Sequence, residues 1–198
     1  MSGYSFELRR FETSGDERGR RRVAYWNGEV GRLGSVELLL PALEVVPVTD
    51  RSLHMGTMVT GDSVPVSSYV ASPYGGKPRI AQGTLNVAGQ HAVVSRNVWR
   101  WSKVGRALRI RAVGREYAYR ETVNKRHHVL ERQEAQVLMT RSSWKNSEII
   151  SGETRGSVDS VDVSLAILFE GVYTRNLSLW GAVVSTPGRF LDSLGAFW

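Results

Sequence analysis

The run Val161 to Phe169 reads Val-Asp-Val-Ser-Leu-Ala-Ile-Leu-Phe, and it constrains the fold more than any other segment. Laid on a helix, its apolar residues cover nearly every face rather than one stripe, so a helix here has to be buried all round. Ser157 can cap its start, and Asp159 in the first turn suits the positive end of the helix dipole. Gly171 stands near its stop. A strand is the competing reading because valines open the segment. The Leu-Ala-Ile-Leu-Phe stretch and the length favour the helix. A helix buried on every side needs walls, and most of the remaining chain reads as short strands.

Tyr4, Phe6 and Leu8 alternate with polar residues, the period of a half-buried strand. A turn cluster at 14–19 and an extended pattern over Arg21 to Trp26 make a hairpin with a moderately long loop. Asn27-Gly28 is a strong turn pair. Gly31 to Val48 is apolar with Pro41 in its middle, which favours a buried strand pair over one helix. Ser72 to Pro78 is loop-like. Ala107–Arg111 and Glu116–Arg120 form the cleanest strand pair, turning at Val113-Gly114-Arg115. One strand is expected over His128 to Thr140 and another over Ser147 to Ser151. A second short helix would start at Thr186, with Pro187 in its first position.

The expected fold class is therefore mainly β (α+β). A curled antiparallel sheet or β-barrel surrounds a buried hydrophobic C-terminal helix, and a short terminal helix follows. Three segments carry a family resemblance: Arg106-Ala-Leu-Arg-Ile-Arg-Ala-Val-Gly-Arg-Glu-Tyr-Ala-Tyr-Arg120, the strand Val129 to Thr140, and Val161 to Phe169. A basic-aromatic hairpin, a further strand and a hydrophobic C-terminal helix in this order resemble the Tubby C-terminal-like fold of Tubby domains, phospholipid scramblases and LURP-one-related proteins. The likeness covers about the second half of the chain and is architectural. It implies contact with phosphoinositide or other anionic lipid through basic residues. No lipid-binding residue or calcium ligand of the family aligns one by one. The chain departs from the family pattern in continuing for almost thirty residues past the helix.

The 198 residues, 41% hydrophobic and 23% charged, suit a packed domain and exclude a disordered or collagen-like chain. One domain over 1–198 is expected, with 176–198 a C-terminal extension. The chain has no Cys, which removes disulfides, thiolate metal sites and cysteine nucleophiles. No apolar run reaches the length of a membrane-spanning helix: Val36–Val48 and Val158–Val172 are broken by charges, the first also by proline. The N-terminus has neither a signal core nor a myristoylation pattern. The expected location is the cytoplasm, with peripheral attachment to the inner membrane face.

G-x-S-x-G, H-E-x-x-H and the phosphate-binding P-loop are absent, so no enzyme role and no cofactor are expected. His127 and His128 point to opposite faces of a strand and cannot chelate one metal together. Asp159 and Asp162 share a helix face, where helix-start charge explains them better than acid–base work.

Charge is the strongest positive signal. The formal net charge is +7, and Arg96 to Arg132 holds eleven Lys/Arg against three Glu. That leaves the rest of the chain at minus one. The candidate anion- or lipid-binding patch is Arg96, Arg100, Lys103, Arg106, Arg109, Arg111, Arg115 and Arg120, with Trp99 and Trp101 interleaved. Arg109 and Arg111 fall on one outward face with Arg115 at the turn. The plain structural alternatives are the solvent face of amphipathic strands and core tryptophans. Trp180, Phe190, Phe197 and Trp198 form a candidate interaction tail. The function expected is a binding module that docks on anionic phospholipid or an acidic protein surface. The competing readings are an assembly subunit, as a homo-oligomer or part of a larger complex, and phosphate-driven nucleic-acid binding.

Overall fold

The computed structural model describes residues 3–13, 23–80, 83–96, 107–143 and 147–174. Fourteen strands are described: β1 (Ser5–Thr13), β2 (Val23–Glu29), β3 (Ser35–Leu40), β4 (Met55–Gly61), β5 (Ser67–Ala71), β6 (Pro73–Tyr74), β7 (Lys77–Pro78), β8 (Thr84–Val87), β9 (Gln90–Arg96), β10 (Leu108–Ala112), β11 (Arg115–Glu121), β12 (His127–Arg132), β13 (Ala135–Arg141) and β14 (Ile149–Gly156). One α-helix follows, α1 (Ser160–Glu170). Twelve of the strands close into an antiparallel barrel in the order β1-β14-β13-β12-β11-β10-β9-β8-β5-β4-β3-β2. β6 and β7 make a separate two-stranded hairpin.

The barrel closes around α1. β12 and β13 lie half a turn around the ring from β4 and β5, and α1 packs on both sides. Arg132 of β12 holds Asp162, while Ser164 Oγ meets Ser67 Oγ of β5 at 2.8 Å. After the helix, a Cβ on Gly171 would lie 2.2 Å from Thr57 Oγ1 of β4, so only glycine fits this approach. Val163, Leu165, Ala166, Ile167, Leu168 and Phe169 are fully buried. The side chains around α1 are mostly apolar, and the outward positions of β10, Arg109 and Arg111, are charged. Among the described residues no helix is long and apolar enough to cross a membrane.

The expected barrel and buried helix are present, and several local expectations change. Asp159, not Ser157, caps α1: its Oδ1 accepts the Val161 and Asp162 N–H groups, and Asp162 Oδ2 accepts the Asp159 N–H. Asn27-Gly28 lies inside β2, because a Cβ on Gly28 would meet the Glu7 carbonyl oxygen of β1 at 2.0 Å. Gly31 to Val48 yields one strand, β3, flanked by 3-10 turns, instead of a strand pair. His128 to Thr140 is two strands joined at Gln133-Glu134. Ser147–Ser151 marks only the start of β14. The helix expected from Thr186 and the 176–198 extension lie outside the described residues.

Because neighbours are antiparallel, connections alternate between the two barrel ends. At the end where α1 starts, the strand-to-strand connections are short: 30–34, 62–66, 88–89, 113–114 and 133–134. At the end where α1 stops, 41–54 and 122–126 are described throughout, and 72–80, 142–143 and 147–148 are described parts of others.

Candidate functional site

β10 alternates Leu108, Ile110 and Ala112 into the core with Arg109 and Arg111 outward, so the two arginines share the outer face as expected. Arg109 stands between Ser95 of β9 and Ala118 of β11, and Arg111 between Val93 and Glu116. Arg111 Nε donates to Glu116 Oε1 at 2.7 Å, an exposed cross-strand pair of small energetic value.

Arg115 opens β11 and turns away from this face to Asp159 at the helix start. Burial alone would raise the Asp159 carboxyl; the hydrogen bonds from Arg115 and from backbone N–H groups overcome it and hold the group below its usual range. Arg132 joins the same cluster with a forked contact to Asp162, at 2.9 and 3.0 Å. Arg120 makes a forked pair with Glu131, both bonds at 3.1 Å. Asp159 and Asp162 thus work as helix cap and charge partners.

The eight-residue patch is therefore divided. Arg96 ends β9 opposite Leu108, and Arg109 is next to that end. Arg111, Arg115 and Arg120 each have a carboxylate partner, whereas Arg109 has none among the described residues. Arg100, Lys103, Arg106, Trp99 and Trp101 lie outside the described residues, as do the tail residues Trp180, Phe190, Phe197 and Trp198.

A second polar cluster escaped the sequence reading. It surrounds Glu170 at the last position of α1, inside the barrel. Tyr119 donates its hydroxyl to Glu170 Oε1 at 3.0 Å, and Arg141 Nε donates to Oε2. The Glu170 carbonyl accepts from Lys77 Nζ at 2.8 Å and from Arg141 at 3.2 Å. His128 stacks on Tyr119; its Nδ1 is 3.3 Å from Glu170 Oε1 but lacks hydrogen-bond geometry.

Burial would raise the Glu170 carboxyl, but the Arg141 cation, with His128 beside it, holds it well below its usual range. The Lys77 amine is lowered to about 7, first by burial and then by Arg141. As a residue Lys77 is only half-buried, since it stands in the β6–β7 hairpin; its amine is the enclosed end, bonded to a residue that is 1% exposed. The contacts of Glu170 are satisfied within the cluster, which pins the hairpin to the helix end. One signal was visible in advance: a glutamate ending an otherwise apolar buried helix needs partners.

Among the described residues no three His, Asp or Glu side chains gather as a metal site, and His127 and His128 do face opposite ways. No protein-family model, curated protein or solved structure matches the chain.

Proposed function

We propose that the chain is a Tubby-like, non-enzymatic binding module that docks peripherally on an anionic phospholipid surface of the cytoplasmic face. One observation carries this reading: α1 fills the lumen, so binding chemistry belongs outside, where β10 presents Arg109 and Arg111 within a stretch, Arg96–Arg132, whose sequence holds a surplus of eight basic residues. Arg109 has no carboxylate among the described residues to neutralise it. Its guanidinium can form paired hydrogen bonds to a phosphate.

The test is flotation of the full chain with neutral and anionic vesicles over a salt series. Binding should be confined to anionic vesicles and weaken with salt. Each basic residue near such a surface contributes roughly 1 kcal/mol, so reversing one charge with Arg109→Glu should weaken binding roughly thirtyfold. No anionic-vesicle binding at low salt would sink the reading. It would turn attention to assembly through Trp180, Phe190, Phe197 and Trp198.

A further inference from the structure

The two ends of the barrel differ in charge. Among the described residues, the connections at the end where α1 stops hold five Lys/Arg and three Asp/Glu, a surplus of two. Those at the other end, including the 157–159 link into α1, hold one Arg and three acids, a deficit of two. Among the described residues the two rims therefore differ by four charges. A charge separation of this kind orients a molecule towards an anionic surface before contact.

Exposed apolar side chains collect at the same rim. Val48 is 76% exposed and Leu53 64% in the β3–β4 connection, and Val123 is 76% exposed in the β11–β12 connection. Tyr74, on the β6–β7 hairpin, is 47% exposed. Basic side chains alternate with them: Arg51 between Val48 and Leu53, Arg126 beyond Val123, and Arg79 over the Tyr74 ring at 4.8 Å. A nucleic acid or an acidic protein would answer the charge alone. Aliphatic tips set among Lys and Arg answer both layers of a lipid interface, the headgroup phosphates and the acyl boundary beneath them.

We infer that the rim where α1 stops is an end-on docking surface for an anionic bilayer, with Val48, Leu53 and Val123 entering the interface and Arg51, Arg79 and Arg126 meeting the phosphates. This rests on the lipid-binding reading above and adds the end of the barrel that makes contact. The chain has no Cys, so a single introduced one carries a label unambiguously. Full-length Leu53→Cys and Val66→Cys, each bearing an environment-sensitive fluorophore, are mixed with phosphatidylcholine/phosphatidylserine vesicles, with phosphatidylcholine vesicles, and with inorganic phosphate.

The rim label should shift to the blue and brighten on the mixed vesicles alone. The label at Val66, on the opposite end, should stay unchanged. In parallel, Leu53→Asp with Val123→Asp should lower vesicle affinity about tenfold, while circular dichroism stays that of the parent. Both positions are exposed, so folding is spared. A chain that floats with anionic vesicles while the Leu53 label is silent, or while the double variant binds as the parent does, overturns the rim assignment and leaves the lipid reading standing. The same holds for a loss confined to Arg109→Glu. A parent chain that fails to float overturns both. A response to inorganic phosphate equal to that on vesicles also overturns the bilayer assignment.

Discussion

At the scale of single residues, stability depends most on a charge that has no freedom to leave the barrel. Glu170 carries Arg141, Tyr119 and Lys77 on its carboxylate and carbonyl. Breaking such a buried pair strands the partner's charge, at a cost of about 3–5 kcal/mol. Glu170→Gln should therefore lower urea-unfolding stability by about that amount, and adding Arg141→Met should recover part of it. Equal stability of Glu170→Gln and the parent would refute the account. These contacts span sequence separations from 29 for Arg141 to 93 for Lys77, which no local pattern encodes. A smaller effect is local. Ala88 and Gly89 turn β8 into β9 with φ of 52° and 75°. An L-residue at positive φ favours asparagine over alanine, so Ala88→Asn should stabilise the exposed turn by about 0.5–1 kcal/mol.

At the scale of elements, period is what made the fold readable. Leu108, Ile110 and Ala112 inward with Arg109 and Arg111 outward are a two-residue repeat, and β10–β11 formed where expected. The α1 segment was readable because an all-apolar helix has one stable place, inside. Leu165→Asp should abolish folding, since a charge would be buried with no partner; a soluble variant with the parent's near-ultraviolet circular dichroism would refute the central helix. Asp159→Ala removes both the cap and the Arg115 pairing and should cost about 1–2 kcal/mol. The misread elements share a cause. Gln133-Glu134 lacks turn residues, so β12 and β13 read as one strand. Asn27-Gly28 has turn residues, yet its glycine serves close strand approach. A turn signal reports backbone permissiveness, and packing decides how it is used.

At the scale of the whole molecule, buried titrating groups set a pH optimum. Lys77 titrates near 7 when folded and near 10.5 as a free side chain, so between those values the unfolded state holds more protons and stability rises with pH. Above about 10 the sign reverses: Tyr69 and Tyr119 are raised by burial, the unfolded chain loses phenolic protons that the folded one keeps, and stability falls. Glu170, held below its ordinary value of 4.5, contributes fully above that value and loses its contribution as pH falls through its lowered folded value. Urea midpoints should therefore rise from about pH 7 towards about pH 9. Lys77→Met should flatten that rise, and a steep rise in Lys77→Met would remove Lys77 as its source.

Sequence alone determined most of the strands, the buried helix and the basic surplus, because period, all-round apolarity and charge are local properties. It also placed Arg109 and Arg111 outward. Only the tertiary structure decided which arginines are already paired, that Glu170 anchors a buried cluster, and that Val48, Leu53 and Val123 share one rim with Arg51, Arg79 and Arg126. Those outcomes depend on closure of the ring: twelve antiparallel strands send alternate connections to opposite ends, and that alternation sorts the charge.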